Sequence, residues 1–147
     1  MIDSSDLSAQ SDYSASGVAA TAPRRRVLVI DDSALVREAA KLALDTFDGW
    51  QVLTAASGEE GLALAATEQL DAILLDLVMP GMDGIAVAEH LRAIPSTRSL
   101  PIVLLTATDQ AEDHERFQRA QVVGVIAKPF DIAHLSHQLA ELLGRSL

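Results

Sequence analysis

The sequence predicts an α/β domain built around a five-stranded parallel sheet. Short apolar segments alternate five times with segments of helical pattern, and this alternation implies a parallel sheet covered by helices on both faces. Hydrophobic residues make up 49% of the chain but aromatic residues only 3%, so the core is expected to be aliphatic. The length of 147 residues suits one domain of this kind.

Five segments have the pattern of strands, and we predict them at residues 27–30, 50–55, 72–75, 102–105 and 122–126. Most are continuous apolar runs, which is typical of strands buried on both faces of a sheet. The segment 50–55 alternates apolar residues with Gln51 and Thr54, which indicates a less buried strand at an edge. This distribution fits the doubly wound, flavodoxin-like strand order 2-1-3-4-5.

Five helices are predicted, one after each strand. Ser33 can cap the first, which is expected to run to about Thr46. Its apolar side is predicted to consist of Leu35, Val36, Ala39, Leu42 and Ala43. The run Ser57-Gly58-Glu59-Glu60 is a capping box that opens the second helix. The other three helices are predicted at residues 84–94, 109–119 and 131–143.

Residues 1–23 differ in composition from the rest of the chain. They contain six serines and three aspartates, no lysine or arginine, and few large apolar side chains. Such a segment buries too little surface to offset its ordering entropy, so we expect a disordered tail followed by a folded domain at residues 24–147. The tail lacks the basic start and apolar centre of a signal peptide. The arginines at 24–26 are interpreted as a solubilising flank rather than as an export signal or a binding patch.

Charge and composition exclude several kinds of protein. The net charge of −10 argues against direct nucleic acid binding and provides no general basic surface for membranes. The absence of cysteine excludes disulfides and thiolate metal sites. The longest apolar stretches are too short to span a bilayer. We therefore expect a cytoplasmic protein with neither a nucleic acid nor a membrane partner.

Polar side chains stand where four of the five predicted strands end. Asp31 and Asp32 follow the first strand, Asp76 the third, Thr106 the fourth and Lys128 the fifth. The second strand, at the edge, is followed by no ionisable residue. In open parallel sheets ligands bind beyond the carboxyl ends of the strands, where the strand order reverses. These side chains are therefore expected to share one cleft.

The chemistry of this group of residues indicates a phosphate site. Carboxylates held close together repel one another unless a cation is present, and an all-oxygen cluster open to solvent suits Mg²⁺. Lys128 can meet a phosphate as a point charge and Thr106 can donate a hydrogen bond to it. Asp76 is the central candidate for a nucleophile. Taken singly, the aspartates could cap a helix, Thr106 could be an ordinary strand-end residue and Lys128 a surface charge.

Four segments resemble the receiver domains of response regulators. They are Val27–Ser33, Asp76–Gly84, Leu105–Ala107 and Lys128–Phe130, and they follow the order and spacing of that family across residues 27–143. The run Met79-Pro80 followed by Met82-Asp83-Gly84 is highly specific, whereas a lone Asp-Asp or Lys-Pro pair is not.

The resemblance implies that Asp76 accepts a phosphoryl group from the phosphohistidine of a histidine kinase or phosphotransfer protein. It also implies that Mg²⁺ is bound by Asp32, by Asp76 and by the backbone carbonyl of Val78, while Asp31 acts largely through a metal-bound water.

In the same family the lysine pairs first with the phosphoacceptor and then with the phosphoryl group, while the threonine turns toward that group. This implies such roles for Lys128 and Thr106, and a cis Lys128–Pro129 bond. One position departs from the family: Val125 replaces the usual aromatic residue, so the aromatic half of the family's switch is expected to be missing. We expect no effector domain after the last helix, and therefore output by contact with an unknown downstream protein or by onward phosphotransfer.

Two other functions are compatible with parts of the pattern. A haloacid-dehalogenase-type phosphatase also uses Asp, Thr, Lys and Mg²⁺, but its second aspartate would fall at Val78, which cannot transfer protons. A phosphorylation-independent interaction module with a receiver fold is favoured only by Val125. We therefore expect a protein that is not an enzyme, beyond catalysing its own phosphorylation and dephosphorylation.

Overall fold

The sheet is five-stranded and parallel, with the order β2-β1-β3-β4-β5 that the sequence predicts. The computed structural model describes residues 24–107 and 114–144. The predicted tail and the beginning of the predicted fourth helix lie outside these residues. The strands are β1 Arg26–Ile30, β2 Gln51–Ala55, β3 Ala72–Asp76, β4 Ile102–Thr106 and β5 Gly124–Ala127. The helices are α1 Ala34–Asp48, α2 Gly58–Thr67, α3 Gly84–Ala93, α4 His114–Ala120 and α5 Ile132–Gly144.

Two apolar layers cover the two faces of the sheet. Because side chains alternate along a strand, Leu28 and Ile73 face one layer, while Val27 and Leu74 face the other. The first layer includes residues of α2 and α3, and the second includes residues of α1 and α5. Every residue of β3 and β4 is buried, whereas β2 is partly exposed, as expected for an edge strand. The sheet therefore has helices on both faces, which leaves the carboxyl ends of its strands free for a site.

The predicted apolar side of α1 is partly wrong. Leu35 is 79% exposed and Leu42 54% exposed, whereas Ala40, Ala43 and Leu44 are buried. Residues 40, 43 and 44 share one side at the helical spacing, and this side faces the sheet and α5. The phase of the helix is therefore set by packing two small alanines against the strands, and both exposed leucines point away from the core.

The last strand begins two residues later than predicted. Gly124 is its first residue and pairs with Val103 of β4. Val122 and Val123 belong to the preceding connection, where they pack against opposite apolar layers. Val123 N donates a 2.8 Å hydrogen bond to Ile102 O of β4, but the paired residues of the ladder begin at Gly124, so apolar character alone did not fix the first residue of the strand.

Serine and aspartate side chains begin the first three helices. Ser33 accepts a hydrogen bond from Val36 N, as predicted, and Ser57 accepts one from Glu60 N at 3.1 Å. The Glu60 carboxylate reaches back to Ala56 N at 2.7 Å, one residue before the position expected of a capping box. No helix within the described part of the chain has the length and apolarity needed to cross a membrane.

Arg92 joins the end of α3 to the end of α4. Its guanidinium donates hydrogen bonds of 2.7–2.9 Å to four backbone carbonyls. They belong to Arg98, Leu100, Ala120 and Gln121. Two of these carbonyls lie in the α3–β4 connection. The other two lie at the C-terminus of α4, where carbonyls have no partner within the helix.

Arg92→Ala is expected to lower the free energy of unfolding by about 2–3 kcal/mol, because partly buried carbonyls lose their donor. Urea denaturation followed by the fluorescence of Trp50, which is 1% exposed in the folded protein, measures this change. Arg98→Ala is the matched control, since this exposed side chain makes one 3.3 Å bond, and its cost should be below about 0.5 kcal/mol. Equal losses in the two variants would contradict the role given to Arg92.

Candidate functional site

Three carboxylates meet at the carboxyl ends of β1 and β3. Carboxylate oxygens of Asp31, Asp32 and Asp76 all lie within 4.8 Å of one another. Asp31 is fully buried and Asp76 is 4% exposed, whereas Asp32 is exposed. The cluster is therefore open to solvent on one side. Its oxygen donors suit a hard cation that keeps part of its hydration shell, which is the usual state of Mg²⁺ in proteins.

Lys128 bridges two of these carboxylates. Its Nζ lies 2.8 Å from Asp31 Oδ2 and 3.0 Å from Asp76 Oδ1. The contact with Asp76 is also a hydrogen bond, whereas Asp31 Oδ2 has an ion pair but no well-aligned hydrogen bond among the described residues. This buried oxygen is thus available to a further donor, such as a metal-bound water.

Burial has the largest effect on the pKa values of Asp76 and Lys128, and the contact between the two side chains opposes it. Burial raises the pKa of Asp76 and the charge of Asp31 adds to this, while the contact with Lys128 opposes it; the net pKa is raised. Burial alone lowers the pKa of Lys128, but its contacts with both aspartates outweigh burial and raise the pKa. Lys128 therefore remains charged at neutral pH. The contact with Lys128 offsets only part of the cost of burying the negative charge of Asp76.

The loop after β3 is folded tightly against Asp76. Val78 N lies 3.4 Å from Asp76 Oδ1, and its side chain is 70% exposed. Gly84 N donates to Leu77 O at 2.8 Å, and a Cβ atom at Gly84 would lie 2.3 Å from Asp76 O. Glycine is required at position 84 because the backbone there passes too close to the strand for any side chain.

Thr106 and Lys128 end neighbouring strands beside this loop. Thr106 is 7% exposed, and its carbonyl accepts a 2.7 Å hydrogen bond from Lys128 N. Asp76 pairs with Leu105 in the sheet, so Thr106 lies one residue beyond the partner of the proposed nucleophile. The Lys128–Pro129 peptide bond is cis, as the resemblance implies. All five side chains predicted for the cleft thus lie at the same edge of the sheet.

Two residues near the site were missed by the sequence reasoning. Arg37 donates a 2.8 Å hydrogen bond to the carbonyl of Asp31, and its position near the N-terminus of α1 was a signal, because a cation is unfavourable there. Leu35 lines an apolar groove of about 390 Å³ together with Phe130, Pro129 and the stem of Lys128. The helical pattern had assigned Leu35 to the core.

Comparisons with known proteins agree with this geometry. The family described as "Response regulator receiver domain" matches residues 27–140. The chain is 36% identical over 121 residues to the response regulator MprA of Mycolicibacterium vanbaalenii, which covers 82% of this chain and 51% of that protein. It is 30% identical to the solved structure of the Vibrio cholerae chemotaxis protein CheY4, with a TM-score of 0.76 and coverage of 85% of this chain and 100% of that chain.

A third similar structure is the receiver domain of the sensor histidine kinase PA1611 from Pseudomonas aeruginosa. It is 29% identical, has a TM-score of 0.73, covers 83% of this chain and 99% of its own, and holds a magnesium ion in its active-site cleft. The chain therefore belongs to the response regulator receiver domain family and is a receiver domain of two-component signal transduction. Receiver domains bind Mg²⁺ at an acidic site, interact with histidine kinases or phosphotransfer proteins, and are generally not classical enzymes. The chain spans about half the length of the curated relatives it matches.

Asp76→Asn is expected to raise the free energy of unfolding at neutral pH in magnesium-free buffer. Because burial raises the pKa of Asp76 above its ordinary value of 3.8, the folded protein binds this proton more tightly than the unfolded chain does. Ionisation of Asp76 therefore lowers stability as the pH rises, and an uncharged amide avoids that loss.

Urea denaturation over a pH series tests this expectation. The variant's higher free energy of unfolding should be fully present above the raised pKa that Asp76 has in the folded protein. It should vanish as the pH falls through the ordinary pKa of an aspartate. Glu59→Gln, which changes an exposed carboxylate in the first turn of α2, should show no such advantage. A variant less stable than the wild type at neutral pH would contradict the electrostatic account of Asp76.

Proposed function

We propose that Asp76 is the phosphoacceptor and that the protein receives its phosphoryl group from a histidine kinase or a phosphotransfer protein in the presence of Mg²⁺. The observation that carries this proposal is the bridge from Lys128 to both Asp31 and Asp76 within a cluster of three carboxylates. A buried nucleophile, a compensating cation and an open acidic cluster are the parts that phosphoryl transfer requires.

The metal ligands in this proposal are the carboxylates of Asp31, Asp32 and Asp76 and the backbone carbonyl of Val78. The first three are supported by the short distances among their oxygens, and Asp31 acts through water because its own oxygens already contact Lys128 and Ser33 N. When bound, Mg²⁺ neutralises the charge that builds up on the phosphoryl oxygens and on the nucleophile. Val78 is assigned by resemblance, and its carbonyl lies in the loop that folds over Asp76.

The transfer itself is assigned to the side chains around Asp76. A carboxylate oxygen of Asp76 attacks phosphorus, the bond from phosphorus to the imidazole nitrogen of the donor breaks, and the electron pair stays on that nitrogen. Lys128, already charged and 3.0 Å from Asp76, pairs with a phosphoryl oxygen of the acyl phosphate. Thr106 donates its hydroxyl hydrogen to another. In this scheme the protein catalyses only its own phosphorylation and dephosphorylation.

The two rival functions are less well supported. A phosphatase of the haloacid-dehalogenase type needs a general acid two residues after its nucleophile, and Val78 there carries no ionisable group. An interaction module that is never phosphorylated would not need Lys128 to bridge two buried carboxylates.

Output is proposed to occur through protein contact or onward phosphotransfer. The net charge of −10 favours no direct contact with nucleic acid. The division into a tail at 1–23 and a receiver domain at 24–147, and the cytoplasmic location, remain predictions from the sequence.

The apolar groove beside the site is proposed as the place where the phosphohistidine donor docks. Leu35 is 79% exposed at one side of this groove, and Lys128 lines it as well, so the groove is continuous with the phosphoacceptor site. A protein that brings a phosphohistidine to Asp76 has to cover the surface next to Lys128. Leu35, exposed in the same groove as Lys128, provides the apolar contact that a transient interface needs.

Asp76→Asn is expected to abolish phosphate uptake from acetyl phosphate with Mg²⁺, because an amide cannot form the acyl phosphate. Intact mass spectrometry should show the mass of one added phosphoryl group in the wild type and none in the variant. Asp71→Asn, at an exposed aspartate before β3, is the control and should be phosphorylated as the wild type is. Equal uptake by Asp76→Asn and the wild type would refute this assignment.

Leu35→Ser is expected to slow transfer from a phosphorylated histidine kinase roughly tenfold, as for the loss of about 1.4 kcal/mol at a central apolar contact. The kinase to use is one from the source organism that phosphorylates the wild type. Transfer from acetyl phosphate should be unchanged, because this small donor makes no contact with the groove.

Leu42→Ser is the matched control, since this leucine is also exposed on α1 but lies two helical turns away from Leu35. It should leave both rates unchanged. A similar loss with both donors, or an equal effect of the two serine variants on kinase transfer, would show that the groove is not the docking site.

A further inference from the structure

Among the three aspartates of the acidic cluster, Asp32 has the fewest contacts that hold its carboxylate in place. Its side chain is exposed, and within residues 24–107 and 114–144 its carboxylate has no hydrogen-bond or ion-pair partner. Asp31, by contrast, is buried and contacts both Lys128 and the backbone of Ser33. The direction of the Asp32 carboxylate therefore depends on the backbone that carries it.

Arg37 holds that backbone. One guanidinium nitrogen of Arg37 donates a 2.8 Å hydrogen bond to the carbonyl oxygen of Asp31. This oxygen belongs to the peptide group that joins Asp31 to Asp32, and because a peptide group is planar, fixing its oxygen also restrains the N and Cα atoms of Asp32. On the other side of Asp32, Ser33 N donates to Asp31 Oδ1 at 2.9 Å, and Ser33 O accepts from Arg37 N at 3.0 Å.

The position of Arg37 is unfavourable for an arginine that served only the helix. It lies near the N-terminus of α1, where the helix dipole favours acidic side chains, and the first turn contains no acidic residue. The side chain is nevertheless half-buried and turned toward the β1–α1 loop. A contact with the loop that carries Asp31 and Asp32 accounts for both features.

We propose that Arg37 is a positioning residue for the metal site: it holds the peptide group between Asp31 and Asp32 so that the exposed Asp32 carboxylate stays with the other two. The inference rests on the proposed function, in which these carboxylates bind Mg²⁺. Arg37 acts on the ion in two opposite ways, since its positive charge disfavours a nearby cation while its hydrogen bond restrains a ligand. The larger effect is assigned to the restraint, because the Asp32 carboxylate itself has no hydrogen-bond or ion-pair partner among the described residues and depends on the backbone that carries it.

The test measures Mg²⁺ affinity in the full chain by following amide chemical shifts during titration with MgCl₂. Arg37→Gln removes both the charge and the long donor, and it should weaken binding roughly tenfold, as the loss of a group that orients a metal ligand does. Arg37→Lys keeps a charged donor and should stay within about threefold of the wild type. If charge alone mattered, Arg37→Gln would instead bind Mg²⁺ more tightly.

Phosphorylation by acetyl phosphate separates positioning from general damage. The rate for Arg37→Gln should be low at limiting Mg²⁺ and should return to the wild-type rate at saturating Mg²⁺, because the nucleophile and Lys128 are unchanged. A loss of folded protein would lower the rate at every Mg²⁺ concentration, and the unfolding curve read from Trp50 fluorescence detects it. In that case the titration is repeated at a temperature where the unfolding curve shows Arg37→Gln to be folded, and an unchanged Mg²⁺ affinity there contradicts the proposal.

Two controls make the outcomes distinct. Lys41→Gln removes a positive charge from the exposed part of α1, one turn beyond Arg37, and should not alter Mg²⁺ affinity. Asp32→Ala removes the ligand and should weaken binding in any case. If Asp32→Ala weakens binding and Arg37→Gln binds as tightly as the wild type or more tightly, the role of Arg37 is wrong. If neither the wild type nor any variant binds Mg²⁺, it is the proposed metal site that fails.

Discussion

The ion pairs of Lys128 with Asp31 and Asp76 join three strand ends that are not all neighbours in the sheet. β5 lies at one edge, separated from β3 by β4, and β1 lies beyond β3. A lysine at the end of β5 is long enough to cross this distance and to reach both carboxylates. Two buried carboxylates without such a partner would repel each other strongly, because charges are poorly screened where water is excluded. The arrangement of the cleft therefore depends on one flexible side chain.

Lys128 offsets only part of the negative charge of the acidic cluster, and this suits the function of the family. One ammonium faces two buried carboxylates with a third nearby, so the site carries excess negative charge, and the pKa of Asp76 is raised although Lys128 is in contact with it. Excess charge at the carboxyl ends of strands favours a cation, and a cation in turn allows an anionic phosphoryl group to approach. The same electrostatic imbalance that lowers stability thus prepares the site for chemistry.

The loop after β3 connects the site to α4. β3 is buried along its whole length, and Gly84 lets the following loop pass close to the carbonyl of Asp76. The same loop ends at Asp83, which caps α3 and also lies 3.4 Å from Arg116 on α4. This contact links the loop after β3 to α4 without involving Val125, which lies 43% exposed on β5. The loss of the family's aromatic residue therefore leaves at least one physical connection between the site and the neighbouring helix.

The sequence by itself determined the fold class, the strand order and the members of the cleft. Buried strands appear in the sequence as continuous apolar runs. The residues that follow these runs must lie at one edge of a parallel sheet. The sequence therefore placed Asp31, Asp76, Thr106 and Lys128 together. The edge position of β2 followed from the polar residues within it.

Only the tertiary structure decided which side of α1 faces the sheet, where β5 begins and which backbone oxygen the long side chain of Arg37 contacts. The phase of α1 could not be read from its leucines, because Ala40 and Ala43 fit closely against the sheet and turned Leu35 outward, beside the site. Val122 and Val123 are partly buried by packing, and only the backbone showed that the paired residues of β5 begin at Gly124. The contact from Arg37 to the carbonyl of Asp31 was equally hidden, because a hydrogen bond between a long side chain and a backbone oxygen depends on position in space and leaves no periodic pattern in the sequence.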